Sequence, residues 1–106
     1  MDKLMEQVLL VFCNTSSEGE AKKIARALLE DELCACVNIS LTQSLYRWDG
    51  ELVEEIEWLL KIKTTARHYP QLERKIKAVH SYELPEIIAV EISHGLAEYL
   101  QWVMDT

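Results

Sequence analysis

The first ordered pattern is a continuous apolar run, "VLLVFCN" at 8–14, which suits a short strand covered on both faces. The period then changes. In "SSEGEAKKIARALLEDEL", Ser17 and Glu20 form a capping box. Beyond them Ala21, Ile24, Ala25, Leu28 and Leu29 recur at helical spacing, which predicts one stripe facing a core. From Cys34 the chain alternates. Val37, Ile39 and Leu41 are apolar on one parity, and Ile56, Trp58, Leu60 and Ile62 are apolar against Glu55, Glu57 and Lys61. Two residues, Asp49 and Gly50, divide these runs. They form a strong tight-turn signal, because Gly50 takes the positive φ that a primed hairpin turn needs. Past Gln43 the apolar parity shifts to Tyr46 and Trp48, which predicts a bulge near Gln43–Ser44. Helical spacing returns in Tyr69, Leu72, Ile76 and Val79, with Thr65 as a possible N-cap and Pro70 tolerated near the first turn. That helix must stop by Leu84, because the residue before Pro85 is pushed out of the α region. "IIAVEIS" then reads as a last strand, and "GLAEYLQWVMDT" as a short C-terminal helix.

The order β-α-β-β-α-β with a tail helix predicts an α+β class: a ferredoxin-like split βαβ sandwich with both helices on one sheet face. Its central hairpin is too long for that layer. Strands of about 14 residues reach roughly 46 Å, whereas a helix of that count spans only about 21 Å. The overhang carries Leu45, Tyr46, Trp48 and Leu52. An uncovered apolar surface of that kind marks a partner site, so the chain is expected to self-associate, with Tyr46 and Trp48 in the interface. Leu59 and Ile87 add apolar positions to the sheet's second face.

Composition narrows the classes. The 106 residues fit one domain, 1–106, with no linker or repeat. A net charge of −7 with no basic patch argues against a nucleic-acid partner. The apolar run at 8–13 is too short for a membrane span or the core of a signal peptide. Three cysteines, an odd number, read as reduced thiols in a cytoplasmic chain rather than a disulfide framework.

Candidate chemistry is sparse. Cys34-Ala35-Cys36 resembles half a metal clip, but small apolar neighbours favour buried thiols. Cys13, ending the first strand, reads either as a small core residue or as a soft ligand that could join an imidazole on copper or zinc. His80 closes the second helix, where the helix dipole alone favours it. His68, beside Arg67 in a first helical turn, reads as solvated, and His94 before Gly95 as a turn residue. Ser81, His80 and Glu83 are adjacent in sequence, which is not triad geometry. No nucleotide-binding or hydrolase motif is present, so no enzyme is expected. Pro85 stiffens "HSYELPEI", so Tyr82, Glu83 and Glu86 either form a solvated connector or line a cleft at a subunit boundary.

"ACVNI", "SLYRWDGELVEEIEWLLKIKTT" and "HSYELPEIIAVEISHGLAEYLQWV" together resemble the CutA family of divalent-cation tolerance proteins, over roughly 8–103. The resemblance implies a cytoplasmic homotrimer, PII-like in architecture, linked to copper tolerance without catalysis. It implies metal ligands at Cys13 and His80 for copper or another divalent cation such as zinc. Val79 stands where some members carry a second histidine. It also implies an inter-subunit cleft bordered by His80, Tyr82 and Glu86. The alternative role is a PII-like signalling or small-metabolite module using that cleft.

Overall fold

A computed structural model describes residues 6–106; residues 1–5, the start of the segment read above for a signal peptide, lie outside the described residues. The elements are β1 (Val8–Thr15), α1 (Glu18–Glu30), β2 (Cys36–Trp48), β3 (Glu51–Thr65), α2 (Tyr69–Val79), β4 (Ile88–Glu91) and α3 (Ala97–Met104). The four strands form one sheet in the order β2-β3-β1-β4, with every pairing antiparallel. This is the ferredoxin-like arrangement expected from the periodicity.

One sheet face carries the core. Val11, Cys13, Leu60 and Ile62 point to the side where Ile24 and Leu28 of α1 meet Leu72 and Ile76 of α2. Each fully buried aliphatic side chain contributes about 1.5–3 kcal/mol of apolar burial. Val8 and Val103 are also buried, but outside that cluster, and α3 packs on β1 and β3. Leu29, expected in the core stripe of α1, is exposed. The buried stripe is narrower than the sequence pattern and ends at Leu28.

The hairpin turns at Asp49 (φ 50°) and Gly50 (φ 79°), the paired left-handed conformation of a type I′ turn. The expected bulge does not occur. Register runs unbroken from Cys36 opposite Lys63 to Trp48 opposite Glu51, with Gln43 facing Ile56 and Ser44 facing Glu55. The parity switch has another cause. Leu41, Leu45, Leu52 and Ile56 continue the helix-covered face beyond the end of the helices and are exposed. Tyr46 and Trp48 lie on the opposite face. The molecule measures 47 × 26 × 21 Å, drawn out by this overhang.

Long-range packing overrides other local signals. Thr65 is not a helix cap: it pairs with Val8 at the end of β3, and α2 starts after His68 without a side-chain cap. His68 is half-buried rather than solvated, with Nε2 3.0 Å from the Thr106 carbonyl oxygen. β4 is shorter than "IIAVEIS" implied, and Ile87 packs against the core cluster instead of the second face.

Candidate functional site

The end of β1, the start of α1 and the connector from α2 to β4 converge. Ser17 caps α1 by accepting the Glu20 N–H at 3.0 Å. The reciprocal half of the capping box shifts by one residue. Glu20 Oε1 accepts from Ser16 N and Ser16 Oγ, both at 3.1 Å, and Oε2 accepts from Ser81 N at 2.7 Å. Burial pushes the Glu20 carboxyl up, but the bonds from Ser81 and Ser16 outweigh it and hold the pKa at about 2. An ionised Glu20 therefore ties helix α1 to the connector.

His80 follows α2, and its N–H closes the helix on the Ile76 carbonyl at 2.9 Å. Its side chain is 0% exposed. Nδ1 accepts the Tyr82 N–H at 3.0 Å, which leaves Nε2 to donate to the Asn14 carbonyl at 2.8 Å. These two bonds assign the neutral tautomer with hydrogen on Nε2. The Tyr82 ring lies 4.8 Å from the imidazole, centroid to centroid.

Cys13 sits one residue earlier and is 0% exposed within the core. Burial pushes its thiol up to about 12, and the charges of Glu86, Glu20 and Glu57 push in the same direction. As a metal pair, then, Cys13 and His80 do not fit in this arrangement. The sulfur is a buried neutral thiol, and both imidazole nitrogens are already engaged in hydrogen bonds.

On the opposite sheet face the connector and the hairpin enclose a cleft of about 750 Å³. The structure brings Tyr46, Trp48, Tyr82 and Glu86 together along it, with Asn14, Glu55 and Glu57. Tyr82 donates its hydroxyl to Glu57 Oε2 at 2.7 Å, and Tyr46 donates to Glu55 Oε1 at 2.5 Å. Asn14 Nδ2 donates to Glu86 Oε1 at 3.5 Å. The bond to Glu55 is the main reason that the Tyr46 hydroxyl is pushed up to about 12. Burial, then Glu57, pushes Tyr82 upward as well. Both phenols thus stay neutral donors to carboxylates.

Glu57 is the residue that sequence reasoning missed. Its parity placed it correctly on the outer face of β3, yet it is only 6% exposed, because Tyr82 covers it. A local pattern carries no signal for that. The nearest hint was a tyrosine on a connector stiffened by Pro85. Cys13 and His80 lie behind this cleft rather than on its wall.

A split βαβ sheet with an overlong hairpin and a carboxylate-rich cleft at its root defines a small α+β protein of the ferredoxin-like type. Within that type, the chain belongs to the family described as "CutA1 divalent ion tolerance protein", which matches residues 9–106. It is 48% identical over 103 residues to the divalent-cation tolerance protein CutA of Thermus thermophilus, covering 95% of this chain and 97% of that one. The solved Thermus thermophilus structure superposes with a TM-score of 0.87 at 46% identity, over 91% of this chain and 94% of that one. The Archaeoglobus fulgidus structure, described as a periplasmic divalent cation tolerance protein, gives 0.90 at 35% identity, over 92% and 96%. No helix among the described residues is long and apolar enough to cross a membrane.

Proposed function

We propose that this chain is a non-catalytic binding protein of divalent-cation tolerance, assembled as a homotrimer, whose working surface is the cleft at the root of the hairpin. One observation carries the reading. Glu57 is buried on the cleft wall with a neutral phenol as its bonded partner and no ion pair among the described residues. A carboxylate so placed favours a cation arriving from the cleft. Its relatives' description as divalent-cation tolerance proteins supports the same direction.

Copper, or another divalent cation such as zinc, would take Cys13 and His80 as its soft ligands, which would require an imidazole free of the Tyr82 N–H and the Asn14 carbonyl and a deprotonated Cys13 thiol. The uncovered stripe of Leu41, Leu45, Leu52 and Ile56 supports self-association, with Tyr46 and Trp48 at the edge of the same hairpin. A heterologous contact that closes into a ring buries that stripe in every copy. Three free thiols suit a cytoplasmic setting. Dialysis against copper, zinc and manganese salts, followed by elemental analysis, tests the reading. Retention lost in Glu57→Gln supports the cleft, and retention lost only in Cys13→Ser and His80→Ala places the ion at the thiol–imidazole pair.

The second reading, a PII-like small-molecule module, is favoured by the size of the cleft. Its volume lies within the range of about 300–1,000 Å³ typical of small-molecule sites. A ligand that raises the melting temperature of the trimer binds its native state.

A further inference from the structure

The cleft holds negative charge without a counter-charge. Glu57 has one oxygen on the Tyr82 hydroxyl. No second hydrogen bond to its carboxylate is found among the described residues, and Glu57 lines the cleft. Glu55 and Glu86 are likewise held by neutral donors, Tyr46 and Asn14, so their charges also remain uncompensated. No lysine, arginine or histidine is among the described residues lining the cleft. Anionic metabolites are repelled from such a surface.

The carboxylates are spread out rather than convergent. Among the described residues no three histidine, cysteine, aspartate or glutamate side chains are close enough to share one metal ion. A hard divalent cation here would take most of its six or more oxygens from water rather than from the protein. An organic cation has different needs. It spreads its charge over several atoms, donates hydrogen bonds to separate carboxylates, and gains from aromatic faces. Tyr46, Trp48 and Tyr82 supply such faces along the same cleft, which has room for far more than a bare ion.

We infer that the cleft is the seat of an organic cation, a guanidinium or alkylammonium group carried by a small molecule. Glu57 is its principal counter-ion, and the rings of Tyr46, Trp48 and Tyr82 form its apolar wall. This rests on the reading of the cleft as the ligand seat. It goes beyond that reading by naming the ligand's charge and chemistry.

The test is an NMR titration of the assembled protein at constant ionic strength, following the Trp48 indole and Tyr82 amide signals. The Trp48 signal is identified by its loss in Trp48→Phe. The probes are butylguanidinium, butylammonium, neutral butylurea, anionic butyrate and magnesium ion. The expected result is saturable shifts with the two organic cations, at least about tenfold weaker binding of butylurea, and loss of the cation response in Glu57→Gln. Equal binding of butylurea or butyrate overturns the cation assignment while leaving the cleft a ligand seat. Stronger binding of magnesium overturns it in favour of a metal site. No response to any probe overturns both readings. Light scattering on Glu57→Gln covers one further case. A changed assembly mass means that a neighbouring subunit's basic side chain already fills the seat, which also overturns the proposal.

Discussion

The Tyr82 hydroxyl donates to Glu57 Oε2 at 2.7 Å, joining the connector before β4 to the middle of β3 across the mouth of the cleft. This bond gives a buried carboxylate its one neutral donor and fixes the aromatic ring against the hairpin. Hydrogen bonds to charged groups contribute about 1.5–3 kcal/mol. Tyr82→Phe is therefore expected to lower stability to urea by about 2 kcal/mol. Glu57→Gln, which removes the buried charge and keeps an acceptor, is expected to be neutral or stabilising. The double variant should cost less than the sum of the two single variants, because the stranded charge is gone. Additive losses would mean that the two side chains act independently.

The overhang predicts assembly. Light scattering after size exclusion should give three chain masses at micromolar concentration. Leu45→Lys with Ile56→Glu places charge on the exposed face that continues from the core, and should yield a smaller species. Trp48→Ala should lower the melting temperature of the assembly, since buried aromatic anchors commonly cost about 2 kcal/mol or more on truncation. A wild-type monomer contradicts the trimer.

Acid should loosen the junction of α1 and the connector. The folded pKa of Glu20 is about 2, against an ordinary value of 4.5. The stabilisation from its ionised form is thus fully present above pH 4.5 and is lost as pH falls from there through about 2. Wild type should exceed Glu20→Gln in stability at pH 6, and the gap should close across that acid window. A gap that persists below pH 2 would show that Glu20 acts by packing rather than by charge.

Thiol labelling reads the closed state directly. Cys13 and Cys34 are buried, with thiols pushed up to about 12 chiefly by burial, whereas Cys36 is half-buried with Lys63 Nζ 3.8 Å from its sulfur. Alkylation at neutral pH, followed by mass spectrometry, should modify Cys36 first. Cys13 and Cys34 should react at rates set by opening of the structure. Fast labelling of Cys13 would mean that the end of β1 opens readily, which makes a thiol–imidazole metal pair available.

What the sequence disclosed and what it concealed divide along contact range. The helix stripe of Ile24 and Leu28, the alternation of Leu60 and Ile62, and the Asp49-Gly50 turn are local periodicities, and each maps directly onto the structure. At Gln43–Ser44 the apolar parity shifts without a bulge. The hairpin outruns its helices, so apolar side chains occupy both faces beyond them. The burial of Glu57 depends on Tyr82, 25 residues away. The low pKa of Glu20 depends on Ser81, 61 residues away. Such pairings have no periodic signature. The engaged ring of His80 was hidden for the same reason, since its Asn14 partner is a backbone carbonyl 66 residues distant.

On the proposed reading, this chain meets cations through Glu57 in the cleft, while Cys13 stays closed behind it. Carbon-13 NMR of the Glu57 Cδ and Cys13 Cβ resonances, recorded during parallel titrations with zinc and butylguanidinium, distinguishes the two sites. Butylguanidinium should move Glu57 Cδ saturably, and neither titrant should move Cys13 Cβ. A Cys13 Cβ that moves while Glu57 Cδ stays fixed would contradict that reading.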